Sequence, residues 1–395
     1  MKITKIIIRK LFGTINFDGQ FWEERLVRPI DIYPEYEIEQ RETNKKGKFL
    51  TESIFIEIYT DNDLSGIAGP IDEQQAFIIE KNLSEIILGK DPLAIELLWD
   101  QMHRLSVHGR QGITMQAISA IDCALWDIKG KYFNTPIYNL IGGPTRNSIP
   151  AYASMLGFNV TDMSLVAERA LVYKEKGFDA QKWFFRYGPM SGKEGLKKNI
   201  ELVETLRNTL GEDYDIMLDC WQSMDYKYIL DLARNIEPFR PFWLEEVVMP
   251  DRIDIYKKIK EKINIPLSGA EHEYTRWGMF RFLEKKALDI LQPDIYWAGG
   301  LSEVMKIASL ASTYDLLIIP HGHSSNATLH FSLSQIPIHT PYQEFLIKWN
   351  IVHQHFLKYP EIPVQGQFRI PTRAGLSMEL DQEKVEKEDK VVINN

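Results

Sequence analysis

The sequence predicts an α/β protein built as a (β/α)8-type barrel behind a smaller α+β domain. Three observations carry this. From Ile149 onward, eight short apolar runs alternate with helical segments, the pattern of parallel strands joined by crossover helices. Upstream of Ile149, strand-like runs come first and helices follow, the order of an α+β unit. Finally, three acidic residues close successive apolar runs at equal intervals. Asp219 ends Asp215–Asp219, Glu245 ends Pro241–Glu245 and Glu271 ends Ile265–Glu271, each 26 positions after the one before. One strand, one helix and two short loops have about that length, so all three carboxylates fall at one end of a parallel sheet.

The chain has 395 residues, more than a single ordinary core and enough for a barrel of about 250 residues with a second domain. Hydrophobic residues make up 44% and charged residues 26%, as in a globular protein. A net charge of -9 argues against a nucleic-acid-binding surface. Two distant cysteines, Cys123 and Cys220, suggest no disulfide framework, so a reducing cytoplasm is expected. The opening Met1–Lys10 reads as a strand and not a signal peptide, and no apolar run is long enough to span a membrane.

In chain order, Ile3–Arg9 and Ser53–Thr60 alternate as strands, with a turn at Asp61–Gly66. Between the strands, Phe17–Lys48 is long, polar and aromatic, and reads as a lid. Glu73–Ile87, Pro92–Leu105 and Gly112–Lys131 carry apolar residues at helical spacing. Gly142-Gly143-Pro144 marks a boundary. The expected units are thus residues 1–143 with the lid at about 17–48, a barrel over 144–350, and a segment 351–395. The expected barrel strands are Ile149–Ala153, Ala180–Phe184, Asp215–Asp219, Phe242–Glu245, Ile265–Glu271, Ile290–Asp294, Leu316–His321 and Glu344–Ile347. Ser324–Tyr342 is weakly patterned, and the charged Asp381–Asn395 reads as a frayed tail.

Three carboxylates converging at a strand end repel one another unless a cation offsets them, and Mg2+ suits oxygen ligands that leave room for water and substrate. Asp294 and His321 end adjacent strands, where a carboxylate can orient an imidazole and raise its basicity. His321 is therefore the candidate proton-transfer group. His323 competes with it, because residues two apart in an extended chain share a face. Glu344, opening the eighth strand, is a third candidate. Lys182 ends the second strand, placed either to meet a substrate carboxylate or to pair with an acid. His272, beside Glu271, is placed to steady it.

These residues resemble the enolase superfamily, and the Asp294–His321 pair resembles its mandelate-racemase branch. Met217–Trp221, Ser268–His272, Gln292-Pro-Asp294, Gly299–Ser302 and Pro320-His-Gly322 look like L-rhamnonate dehydratases, while Ala120–Asp127 and Leu140–Gly143 look like the family's capping domain. The resemblance implies a modified TIM barrel with an α+β N-terminal capping domain, onto which 351–395 packs back. It implies one Mg2+ per subunit on Asp219, Glu245 and Glu271, with His321 as acid/base, Asp294 as its partner, and Glu344 and Lys182 on the substrate. Trp22, Arg41, His323 and His272 are the substrate-contact candidates. The implied reaction is dehydration of an aldonate to a 2-keto-3-deoxy acid in a cytoplasmic homo-oligomer of two to eight subunits. Xylonate, arabinonate or gluconate are alternative substrates, and a racemase or cycloisomerase an alternative activity. Phe184 stands where some relatives carry a second lysine, which disfavours a two-base racemisation. His323 replaces a small serine, and the lid lacks a histidine found in rhamnonate dehydratases.

Overall fold

The computed structural model describes residues 1–38, 46–323 and 325–395. Two sheets organise it. The first is antiparallel and joins β1 (Ile3–Gln20), β2 (Lys46–Thr60), β3 (Ser65–Ile71) and, at its outer edge, the C-terminal Lys387–Asn394, in the order C-terminal strand, β1, β2, β3. Helices Glu73–Ile78, Ile95–Leu105 and Ile113–Tyr132 follow β3.

The second sheet is the parallel barrel. Its strands are β4 (Ser148–Ser154), β5 (Ala180–Phe184), β6 (Asp215–Asp219), β7 (Trp243–Glu245), β8 (Leu267–Gly269), β9 (Ile290–Leu291), β10 (Leu317–Ile318) and β11 (Gln343–Leu346). They run in the order β10-β9-β8-β7-β6-β5-β4-β11, so the sheet curls round until its first and last strands approach each other. A helix separates each strand from the next. Tyr152, Ala180, Met217, Trp243, Ile290 and Ile319 fill the interior, as close packing of a barrel requires. The short β12 (Gln367–Arg369) pairs with β4, and the C-terminal strand is β13.

The helix Ile113–Tyr132 joins the two sheets. Its Ser119 hydroxyl accepts from Gly299 N at 2.9 Å, its Asp122 carboxylate accepts from Ser302 N at 3.0 Å, and its Trp126 indole donates to Ser302 Oγ at 2.8 Å. Gly300 and the turn before it thereby seat the start of the helix Gly300–Ser312 against the first domain.

Several segments differ from the sequence reading. The tail is not frayed: β13 pairs with β1 from Lys5↔Asn394 to Phe12↔Lys387. Its charges face outward along an edge strand, so composition alone concealed the ladder. The residues after the turn at Asp61 form β3, which was not foreseen. Ser325–Ser334 is a helix, and every residue in it from Ser325 to Leu333 is buried. A helix buried all round shows no amphipathic period.

Candidate active site

Seven consecutive barrel strands, β5 to β11, deliver the candidate residues to one end. Lys182, in β5, is buried, and its Nζ lies 2.9 Å from Glu344, 3.6 Å from Asp219 and in contact with Glu245. Burial opposes its charge, but Glu245 and Glu344 outweigh burial and hold its pKa well above the usual lysine value. Asp219 and Glu245 are direct partners across β6 and β7. Trp243 and Glu245, two apart, both face the interior, where the Trp243 indole donates to Glu245 Oε2 at 2.9 Å and Gln292 donates to the same oxygen at 2.8 Å. Burial, together with the neighbouring carboxylates and against the pull of Lys182 or His321, raises Asp219, Glu245 and Glu271 each to about 7.

Glu246 was not anticipated. One ligand atom each from Glu246, Glu271 and His272 lie within 4.8 Å of one another. Strand alternation would turn Glu246 away from Glu245, but its φ of +44° ends the strand and brings it back. Its Oε2 accepts from Gln222 at 3.0 Å and sits 2.9 Å from His272 Nδ1. His272 is also 3.4 Å from Glu271. Burial opposes the charge of His272, but Glu246 and Glu271 raise it to about 9. The adjacent Glu245-Glu246 pair was the signal available in the sequence.

Asp294 and His321 meet as the sequence placed them, with His321 Nδ1 2.8 Å from Asp294 Oδ2. The other Asp294 oxygen accepts from Tyr296 N at 2.7 Å. A carboxylate can only accept, so Nδ1 carries the hydrogen and Nε2 is left for chemistry. Nε2 lies 3.9 Å from Glu271 Oε2. Burial works to lower this histidine, but Glu271, Asp294 and Glu344 together raise it to about 10. Glu344 accepts from Gly322 N at 2.9 Å. A Cβ at Gly322 would stand 2.8 Å from Glu344 side-chain carbons, so only glycine permits this approach. Burial opposes the Glu344 charge, yet Lys182 and His321 pull its carboxyl down to about 2.

These groups open on a cavity of about 510 Å³ whose walls include Trp183, Trp221, Trp297, Leu346, Trp349 and His353. The Trp297 ring lies between two histidines, 4.9 Å from His321 and 5.4 Å from His323. The sequence reading missed Trp297, Trp349 and His353, since no periodicity marks a wall residue. Trp22 is corrected. It is buried and packs at 5.0 Å behind Trp349, with Phe21 and Phe49, not on the cavity wall. Gly157, at φ +88°, has no room for a side chain because the Trp22 ring occupies that space. Trp22→Ala is expected to cost about 3–5 kcal/mol by leaving a cavity in this cluster, read as a lowered urea midpoint. Arg41 lies outside the described residues.

Residues 165–385 match the family model "Enolase C-terminal domain-like", and residues 48–142 match "Mandelate racemase / muconate lactonizing enzyme, N-terminal domain". The chain belongs to the mandelate racemase/muconate lactonizing enzyme family of the enolase superfamily. Among members of this family, an L-rhamnonate dehydratase of Saccharopolyspora erythraea is 32% identical, over 91% of this chain and 90% of its own. The crystal structure of rhamnonate dehydratase from Gibberella zeae complexed with Mg is 28% identical, with a TM-score of 0.83 over 97% of this chain and 95% of that one. A 3,6-anhydro-D-galactonate cycloisomerase from Zobellia galactanivorans is 29% identical, with a TM-score of 0.79 over 98% of this chain and 100% of that one. The enolase-type architecture of barrel plus N-terminal domain accounts for both sheets.

Proposed function

We propose that this protein dehydrates an aldonate to a 2-keto-3-deoxy acid, with Mg2+ held by Asp219, Glu245 and Glu271. The observation that supports it most is the placement of one oriented histidine. His321, fixed by Asp294, faces Glu271, while Lys182 and Glu344 form an ion pair at the same barrel end. The donor set suits the metal: the candidate ligands offer only oxygens, and burial and mutual repulsion hold each carboxyl near 7, a clash that a hard dication offsets. When bound, Mg2+ would stabilise the charge that builds on the substrate's carboxylate.

The chain's own residues supply the rest. Against burial, Glu271 is the largest cause of the raised basicity of His321, so with Mg2+ offsetting that carboxylate the neutral imidazole would be available. Its Nε2 takes the C2 proton, and the electron pair passes into the substrate carboxylate. The imidazolium then returns its proton to the C3 hydroxyl, the C3–O bond breaks, and water leaves. The enol so formed tautomerises to the 2-keto acid. Lys182 and Glu344 position the carboxylate end. Phe184, fully within β5, offers no base on the opposite face, which favours this one-histidine elimination over racemisation. We place the enzyme in the cytoplasm as a homo-oligomer; its two cysteines are buried and free, which accords with a reducing compartment. Among the described residues no helix is long and apolar enough to cross a membrane.

The test is incubation of the Mg2+-loaded protein with single aldonates, followed by assay of 2-keto-3-deoxy acid. Product that disappears with EDTA is expected. Exchange of the C2 hydrogen in D2O without loss of water would instead identify an isomerase.

A further inference from the structure

We propose that His323 and His353 form a hydroxyl-reading pair that selects acid sugars carrying a hydroxyl at the end remote from the carboxylate. This rests on the aldonate reading above and names the residues that choose among aldonates. Both histidines line the cavity, and Trp297 packs against both His321 and His323. Their rings stand 4.5 Å apart. His353 Nδ1 lies 3.3 Å from the His323 carbonyl oxygen. A carbonyl can only accept, so Nδ1 carries the hydrogen and His353 Nε2 is a bare acceptor. His323 Nδ1 is buried with no hydrogen-bond partner among the described residues. Burial, with His353 and His321 as neighbours, holds His323 well below the ordinary histidine value, and burial lowers His353 to about 4. Both rings are therefore neutral at working pH.

A neutral imidazole pair meets a hydroxyl well, because the hydroxyl donates to one nitrogen and accepts from another. It meets a methyl group poorly, since the His353 Nε2 acceptor then stays unpaired. It meets a second carboxylate poorly too, for it brings no charge. Among the described residues two arginines also line the cavity, but Arg25 and Arg28 are both engaged by Asp31. The rings packed against the pair are Tyr296, Trp297 and Trp349, of which Trp297 and Trp349 line the cavity.

L-Mannonate and L-rhamnonate form the matched probe, since they differ only by a hydroxyl or a hydrogen at the terminal carbon. The wild-type protein is expected to favour L-mannonate by at least about tenfold in kcat/KM, mainly through KM. His323→Phe keeps a ring and removes both nitrogens; His353→Phe does the same for its partner. Each variant is expected to lose most of that preference while keeping the pH profile of kcat set by His321. Binding of both acids to the Mg2+-loaded His321→Asn variant, by calorimetry, separates this from the reaction assignment. Preferential binding of L-mannonate without turnover by the wild type would sink the dehydratase reading and leave the pair standing. A wild-type preference for L-rhamnonate, or a preference that survives in both phenylalanine variants, would overturn the pair.

Discussion

Replacing His321 with asparagine should reduce kcat/KM by roughly a thousandfold or more, the scale of losing a positioned proton-transfer group that serves two steps. Asparagine preserves a donor toward Asp294 and fills similar space, so the loss is chemical and not a collapse of the wall. Mg2+ affinity should stay within a few-fold, because His321 reaches Glu271 only across 3.9 Å. Asp294→Asn should cost less, since it misorients the ring without removing it. Near-normal turnover by the His321→Asn enzyme would force reassignment of the base, with His323 next in line.

The second large effect is metal withdrawal. EDTA should lower turnover by at least about a thousandfold, the scale at which transition-state charge is left without its electrostatic partner. It should also alter stability in a pH-dependent way. Asp219, Glu245 and Glu271 have folded-state pKa values raised to about 7 from ordinary carboxyl values. The folded metal-free chain then binds more protons than the unfolded chain between about pH 4 and 7, so its stability falls as pH rises through that window. Mg2+ relieves the repulsion, so its stabilising effect should be greater at pH 8 than at pH 6. The difference in Tm shift should be of the order of 2 °C or more. Equal Tm shifts at the two pH values would remove the electrostatic rationale for the three-carboxylate site. Comparing Glu245→Gln with Glu246→Gln by Mg2+ titration assigns the third ligand: the first should lose binding and the second should mainly loosen His272.

The chemical half of the site was legible because it sits on regular structure. A strand followed by a helix repeats with a near-constant period, so Asp219, Glu245, Glu271, Asp294 and His321 announce themselves by position. The Asp294–His321 contact follows from adjacency of strands alone. What selects the substrate is not periodic. Trp297 and His353 reach the cavity through a turn and a helix end, whose directions depend on packing that no local pattern encodes. Trp22 misled because an aromatic residue in a long loop looks like a contact, whereas this loop carries its own small core. Glu246 was hidden by strand alternation, which fails at the first residue beyond the strand. The tail's ladder with β1 was hidden because an outer strand needs few apolar residues.

The junction between β10 and β11 has a wider consequence. Few bonds join these strands: Ile318 N donates to the His339 carbonyl at 2.8 Å, and Gly322 N to Glu344 at 2.9 Å. The second of these uses a reacting-site side chain as the clasp of the ring. Between the two bonds the chain forms the buried helix Ser325–Ser334, whose His330 Nδ1 accepts from Tyr138 N at 3.3 Å, and then an exposed turn at Ile336–Ile338. Only that turn has room to lengthen, so a lineage can add residues at Ile336–Ile338 without redrawing the proton-transfer apparatus. Glu344 has no such liberty: a change there would unfasten the ring and disarm the enzyme in one mutational step.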